Sequence, residues 1–426
     1  MRVKLSELIL KLESGGRPKG GAIKDSEAIP SIGAEHLNES GGFNLNSLKY
    51  IPIEYYNKLK SGRIEKSNIL VVKDGATTGK TIYVHDKYPF SDSAVNEHVF
   101  VIKIDSKKAF PFYIYQYLRS PQGKREILSD FRGATVGGIS RKFIDKVNIQ
   151  LLPLKDQIRI ANILSRAETL IAKRKESIQL LDELLKSTFL DMFGDPVRNE
   201  KGWEKKAAIS YADCIVPGRD KPKSFTGGIP WVTTDDLEHL STTIKSKKDI
   251  GLLRDEIKQV KARLIPKDSV LMTCVGDLGV ISLAGQDMVV NQQLHSFQCK
   301  KSINNKFLMF TLSYQKKYMY RKASKTTVPY MNKTICNSIP VIKPPLELQN
   351  KFAQIVEKVE NIKTKYQESI QELENLYASL SQKAFKGELD LSKMEVEEYN
   401  LGHAEPGRSM AAEEGVGYGK KESSKK

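Results

Sequence analysis

The chain has 426 residues, with 68 Lys and Arg against 51 Asp and Glu for a formal net charge of +17, and its length suits about two or three domains with proper cores. Its cysteines, Cys214, Cys274, Cys299 and Cys336, lie far apart with no C-x-x-C pair, which argues against a zinc site or a disulfide framework and for a reducing cytoplasm. No apolar run approaches the roughly 20 residues of a membrane helix, and residues 1–11 alternate charged and apolar groups over too short a span for a signal sequence.

Residues 1–152 read as an α+β domain. Runs rich in β-branched and aromatic residues at 69–72, 81–84 and 99–104 are predicted strands between Gly, Asn and Asp turns. The stretch Asp74-Gly75-Ala76-Thr77-Thr78-Gly79-Lys80-Thr81 imitates a phosphate-binding loop, but its glycines stand one residue too close together. It also leads into a strand instead of opening a helix, so it reads as a tight turn. Basic residues follow at Arg119, Lys124, Arg125, Arg132, Arg141, Lys142 and Lys146, among few acids.

Residues 153–194 are predicted to form one long helix. Pro153 suits its first turn, and neither Gly nor Pro recurs before Gly194. Ile160, Leu164, Ala167 and Ile171, then Ile178, Leu181 and Leu185, recur at close to 3.5 residues, the spacing of a coiled-coil seam. Arg174 interrupts it. Such a helix is a rod of roughly 60 Å.

Residues 195–343 read as a second α+β domain, loosely related to the first. Gly16-Arg17 with Lys19 resembles Gly218-Arg219 with Lys221, Ile29-Pro30 and Leu37 resemble Ile229-Pro230 and Leu237, and Asn68-Ile69-Leu70 resembles Ser269-Val270-Leu271. Asn96 corresponds to Asn291, and Thr135-Val136 to Thr327-Val328. Strands are predicted at 270–273 and 289–290, and Gly276-Asp277-Leu278-Gly279 repeats the glycine turn without its lysine. No Asp or Glu occurs between Asp287 and Glu347, a stretch in which lysines and Arg321 interleave with Phe307, Phe310, Tyr314, Tyr318, Tyr320 and Tyr330.

Residues 344–391 repeat the long helix. Residues 152–193 recur without a gap as 344–385, so that Pro153, Leu154, Gln157, Ile178, Leu184 and Phe193 fall on Pro345, Leu346, Gln349, Ile370, Leu376 and Phe385. The seam here runs Phe352, Val356, Val359, Tyr366, Ile370, Leu373, Tyr377 and Leu380, with Lys363 interrupting it. Two copies are too few for a solenoid but enough for one pseudo-symmetric molecule. The two stripes can satisfy each other within one chain; a homodimeric coiled coil is the alternative. Residues 392–426, rich in Gly, Ser, Glu and Lys, read as a disordered tail.

Clustered cations neutralise phosphates and release counterions, while amides, hydroxyls and arginines read base edges, so the charge pattern points to nucleic acid. An anionic membrane is a weaker partner, because no amphipathic helix with a lysine-rich polar face precedes these cations. Catalytic motifs are missing: there is no Asn-Pro-Pro-Tyr or Asp-Pro-Pro-Tyr loop, no H-E-x-x-H, no G-x-S-x-G and no EF-hand. His98 and His295, near Asn96 and Asn291, read as satisfied structural groups.

The starts Pro153-Leu154…Gln157 and Pro344-Pro345-Leu346…Gln349, the long helix, and the ending Ser187…Met192-Phe193-Gly194-Asp195-Pro196 resemble the specificity subunit of type I restriction-modification systems, over nearly the whole chain to about Leu391. The resemblance implies two target recognition domains, each reading one half of a bipartite DNA sequence, and two helices packed antiparallel as a coiled-coil ruler for the spacer. It also implies that two methyltransferase subunits dock on the repeated regions and use S-adenosylmethionine, while restriction subunits use ATP and Mg for translocation and cleavage. The chain itself would carry no catalytic residue, cofactor or metal, and would act in the cytoplasm. The second copy departs from the pattern at its end, with Ala384-Phe385-Lys386-Gly387-Glu388-Leu389.

Candidate DNA contacts are Arg132, Thr135, Arg141 and Lys142 before the first helix, and Lys325, Thr327, Tyr330, Asn332 and Lys333 before the second. Arg17, Lys19, Lys80, Arg219 and Lys221 follow. The bland alternative is that several are solvated surface cations. A competing reading of the chain is a basic coiled-coil interaction scaffold without sequence-specific DNA reading; an autonomous DNA enzyme is disfavoured by the missing motifs.

Overall fold

The computed structural model describes residues 1–38, 41–133, 137–218 and 220–392. Thr135, Arg219 and all but the first residue of the tail expected at 392–426 lie outside the described residues. The chain forms two compact units, one of Met1–Ser177 with Tyr366 onward and one of Ile178–Lys365. The division falls inside the long helices, Leu154–Phe193 and Leu346–Lys386, so each unit contains the start of one and the end of the other.

The first unit is built on a four-stranded antiparallel sheet in the order Ile9–Ser14, Val99–Ile104, Ile69–Val72, Thr81–Tyr83. Apart from Lys103, its central strands are apolar because both faces are covered. Ile69, Val71, Phe100 and Ile102 join the core that takes in the helix Pro111–Arg119. Leu70, Val72, Val99 and Val101 point the other way, into a core with Ile32, Leu37 and Val95. Alternate side chains on a strand take opposite faces, so one continuous apolar run feeds two cores. A second sheet orders Lys49–Ile51, Ile29–Ile32 and Ala94–Val95, the last pair parallel. Arg2–Lys4 pairs with Asn148–Gln150 just before the long helix begins.

The second unit repeats the plan. Its main sheet orders Ala212–Ile215, Leu294–Cys299, Val270–Thr273, Ile281–Ala284 and, parallel to the last, Ser241–Thr243. Gly251–Leu252, Ile229–Val232, Met288–Val290 and Leu264–Ile265 form the smaller sheet. Glu204–Ala207 pairs with Pro340–Lys343 before the second long helix. The predicted α+β class is the observed one.

Within each unit the two long helices run antiparallel. In the first unit Ile160, Ala161 and Leu164, early in one helix, share a core with Ala384 and Phe385, late in the other. Further along, Lys175 Nζ meets Glu374 at 2.9 Å. In the second unit Phe189 and Phe193 pack on Phe352, with ring centroids 5.4 and 5.6 Å apart, and fully burying such a ring contributes roughly 1.5–3 kcal/mol. The charged interruptions of the seam both find partners: the Arg174 guanidinium lies 4.8 Å over the Tyr366 ring, and Lys363 pairs with Asp182 at 2.5 Å. Both helices stop at a glycine with φ of +74°, Gly194 and Gly387, the left-handed geometry that favours glycine at a helix end. Among the described residues no helix is long and apolar enough to cross a membrane.

Candidate nucleic-acid interface

The glycine turn is the centre of the site in both units. Gly75 and Gly79 have φ of +88° and +82°, and Gly276 and Gly279 have +78° each, so the chain reverses sharply where a side-chain-bearing residue would be strained. Lys80 leads into the strand Thr81–Tyr83, which confirms a turn between strands and removes the phosphate-loop resemblance.

Two other segments are fastened to this turn by main-chain bonds. In the first unit the Lys73 N–H donates to the His98 carbonyl at 2.8 Å, the Lys73 carbonyl accepts from Ile139 at 2.8 Å, and the Gly75 N–H donates to Gly137 at 3.1 Å. The second unit has the same set: Cys274 N–H to the Gln293 carbonyl at 2.8 Å, Met331 N–H to the Cys274 carbonyl at 2.8 Å, and Gly276 N–H to Pro329 at 2.9 Å. The glycine turn, the turn before the strand Val99–Ile104 or Leu294–Cys299, and the loop running to the long helix therefore meet at one place in each unit. The two outer loops also close on themselves, through Arg132 with Gly138 and Ser324 with Tyr330.

The third segment, residues 96–98 or 291–293, was not among the sequence candidates. The correspondence of Asn96 with Asn291 is its signal: each Oδ1 accepts the main-chain N–H two residues on, from His98 at 3.0 Å and Gln293 at 3.2 Å. His98 is exposed at this rim and is satisfied as expected, its Nδ1 2.6 Å from Asp74 Oδ1. His295 fulfils the same expectation. It is buried, with Nε2 3.2 Å from Cys214 Sγ and 3.1 Å from Asn337 Oδ1, and burial pushes its pKa down to about 4.

The candidate residues fall into distinct situations. Arg132 is exposed and pairs at 3.0 Å with buried Asp130, whose other oxygen accepts from the Ser140 N–H and hydroxyl at 2.7 Å each. Burial works against the Asp130 carboxylate, but those bonds hold its pKa below the usual range, which anchors the loop. The Arg141 guanidinium donates to the Leu12 carbonyl and so ties the loop to the strand Ile9–Ser14. Lys142 and Lys19 are exposed. Lys80 Nζ reaches the Leu37 carbonyl at 2.9 Å. Arg17 is exposed, 3.5 Å from Glu97, and lines with Ser31, Glu35, Lys49, Asn96 and His98 a cleft of about 250 Å³.

In the second unit Lys325, Thr327, Tyr330 and Lys333 are exposed. Asn332 caps the short helix Lys333–Asn337, its side chain accepting the Ile335 N–H at 2.9 Å. Two further residues of the basic stretch join the glycine turn: Lys316 at 2.8 Å and Tyr320 at 3.1 Å from Asp277, and chiefly the Lys316 bond lowers the Asp277 pKa. Lys221 is exposed on a loop whose Gly218 packs on the backbone of Lys261 and Ala262, apart from the main-chain bonds that build the cluster. The described residues place Arg132, Arg141, Lys142, Lys80 and Arg17 around one cluster, and Lys325, Thr327, Tyr330, Asn332 and Lys333 around the other.

Comparison with known proteins gives one consistent answer. The family described as "Type I restriction modification DNA specificity domain" matches residues 1–181 and 217–375. The chain is 20% identical over 332 residues to the type I restriction enzyme MjaVIII specificity subunit of Methanocaldococcus jannaschii, covering 72% of this chain and 76% of that protein. A shorter match, 23% identical over 163 residues, is to the MjaIX specificity subunit of the same organism and spans 37% of each protein. The fold is that of the type I restriction-modification S subunit from M. genitalium, with a TM-score of 0.56 at 16% identity, covering 90% of this chain and 96% of that one.

Proposed function

The chain belongs to the type I restriction-modification DNA specificity family, and from that membership we propose that it is the sequence-reading subunit of such a complex, its two unlike domains each reading one half of a bipartite duplex target. The observation that carries this reading is the duplicated three-segment cluster, built from the same main-chain bonds in both units but lined by different side chains. Exposed cations at Arg132, Lys142, Lys325 and Lys333 are suited to phosphates, and polar groups such as Thr327 and Tyr330 to base edges.

The chemistry then belongs to partners. S-adenosylmethionine is taken by methyltransferase subunits, ATP and Mg by restriction subunits, and this chain takes neither; the assembly works in the cytoplasm. Exposed apolar residues support docking of two copies of one partner. Leu154, Leu170 and Leu376 are exposed in the first unit, and Leu346, Ile362 and Leu184, at the equivalent repeat positions, in the second. Apolar groups left in water at matching positions suit two equal interfaces.

Footprinting on duplex DNA, with the chain bound to a methyltransferase partner, tests the proposal. Two protected patches flanking an unread gap are expected, with the same two half-sites recovered from a randomised library. Even protection without base preference would favour the basic scaffold instead.

A further inference from the structure

The same turn carries unlike side chains in the two units: after Asn96 come Glu97 and His98, and after Asn291 come Gln292 and Gln293. Its main chain is fixed at matching points. The Asn96 N–H donates to the Ile32 carbonyl at 3.0 Å and the Asn291 N–H to Val232 at 3.0 Å; Val99 donates back to Asn96 at 3.3 Å and Leu294 to Asn291 at 3.2 Å. With the two asparagine side-chain bonds and the bonds from Lys73 and Cys274, each turn is anchored on both sides.

We infer that these two positions are specificity determinants, Glu97 and His98 for one half-site and Gln292 and Gln293 for the other, with the Gln293 amide N–H2 donating to an acceptor on a base edge. The inference rests on the DNA-reading function proposed above and names residues for it. Its first support is chemical. Gln293 Oε1 accepts from Asn291 Nδ2 at 3.1 Å, which orients the amide and turns its nitrogen, a donor only, away from Asn291. Guanine N7 and O6, adenine N7 and thymine O4 are the groove acceptors such a donor meets. In the first unit the same place holds a carboxylate and an imidazole: Glu97 lies 3.5 Å from Arg17, and the His98 ring is held by Asp74 at 2.6 Å. By the Asn96–Asn291 correspondence His98 stands where Gln293 does and Glu97 where Gln292 does, so an imidazole and a carboxylate replace two amides and the two units present different chemistry to a base pair.

The second support is mechanical. A reading group must be held within about half an ångström of its working position, which long lysines on open loops cannot achieve alone. His98 and Gln293 are exposed, yet their carbonyls are bonded to the centre of the cluster, beside the loops that carry Arg132 and Lys325. The side chain can change there while the turn stays in place.

The test is selection of bound duplexes from a randomised library by the chain in complex with its methyltransferase subunits, comparing wild type, Gln293→Glu, and the double variant Glu97→Gln with His98→Gln. Gln293→Glu is nearly isosteric and replaces a donor by an acceptor. It is expected to shift base preference roughly tenfold at one or two adjacent positions of a single half-site, towards cytosine or adenine, whose exocyclic amines donate. The double variant is expected to alter the other half-site only, and in each variant the unaltered half-site reports an intact protein. A two-part target in the wild type that both variants leave unchanged, or weaken evenly at all positions, overturns this inference alone. A wild type that selects no two-part target overturns the proposed function and this inference with it.

Discussion

Gln157 Oε1 accepts the main-chain N–H of Phe110 at 2.8 Å, deep inside the first unit, while its Nε2 donates to the Leu152 carbonyl at 2.8 Å. Gln349 does the same in the second unit, with the Asn304 N–H and the Pro344 carbonyl, both at 2.8 Å. Phe110 and Asn304 stand at the N-caps of Pro111–Arg119 and Asn305–Ser313. The repeated glutamine thus clamps the start of each long helix to a helix of the domain before it. Gln157→Leu or Gln349→Leu takes the glutamine partner from a part-buried donor and from an acceptor, and a loss of about 2 kcal/mol is expected. Denaturant midpoints measure it, with the slope unchanged.

Asn332 has a structural task that its sequence context conceals. Asn332→Ala removes the cap of Lys333–Asn337 and is expected to cost about 1 kcal/mol, weakening the second unit's half-site through a loosened loop. Asn332→Ser keeps a capping oxygen and is expected to behave as wild type in stability and in DNA selection. Parallel thermal melts and binding titrations of the two variants decide the matter; a Ser variant that melts normally but loses a base preference would make Asn332 a direct reader.

Burial against Phe297 and Cys214 pushes the His295 pKa down to about 4, with Lys333 adding to the effect. The unfolded chain takes up this proton near pH 6.5, and the folded chain refuses it until about pH 4. Its contribution is therefore complete above pH 6.5 and falls away as pH drops through that window, by on the order of 3 kcal/mol. His36 and His239 are also lowered by burial, so the slope of stability against pH between 6.5 and 4 is expected to lessen, not vanish, in His295→Gln.

If the paired helices set the spacer between half-sites, as the family resemblance implies, a geometric prediction follows. One extra helical turn in each of Leu154–Phe193 and Leu346–Lys386 adds about 5.4 Å, against about 3.4 Å per base step. Library selection with such a variant is expected to return the same half-sites separated by one or two more base pairs. Unchanged spacing would overturn the spacer-setting role that the resemblance implies.

The long helices were legible because their seam and their repeat are both periodic, and the strands Ile69–Val72, Val99–Ile104 and Val270–Thr273 because continuous β-branched runs leave few other choices. The partners of Arg174 and Lys363 were hidden: Tyr366 and Asp182 come from the facing helix, and no local pattern pairs them. The site was legible only as charge. Lys142, Lys325 and Lys333 are exposed as a cationic surface requires, but Arg141 ends on the Leu12 carbonyl and Asn332 on a helix cap. Arginine and asparagine serve backbone carbonyls and amides as readily as nucleic acid, so residue type does not separate the two uses. The repeated asparagine of 96–98 and 291–293 marked a turn in the sequence, but the main-chain bonds to Lys73 and Cys274 that bring it to the cluster leave no trace in side-chain composition.

Those bonds have an evolutionary consequence. Because the junction of the three segments is fastened by peptide groups, mutation at its rim can change what is recognised while sparing the fastening. A lineage can then drift from one target word to another through stable intermediates, and the two halves can drift independently.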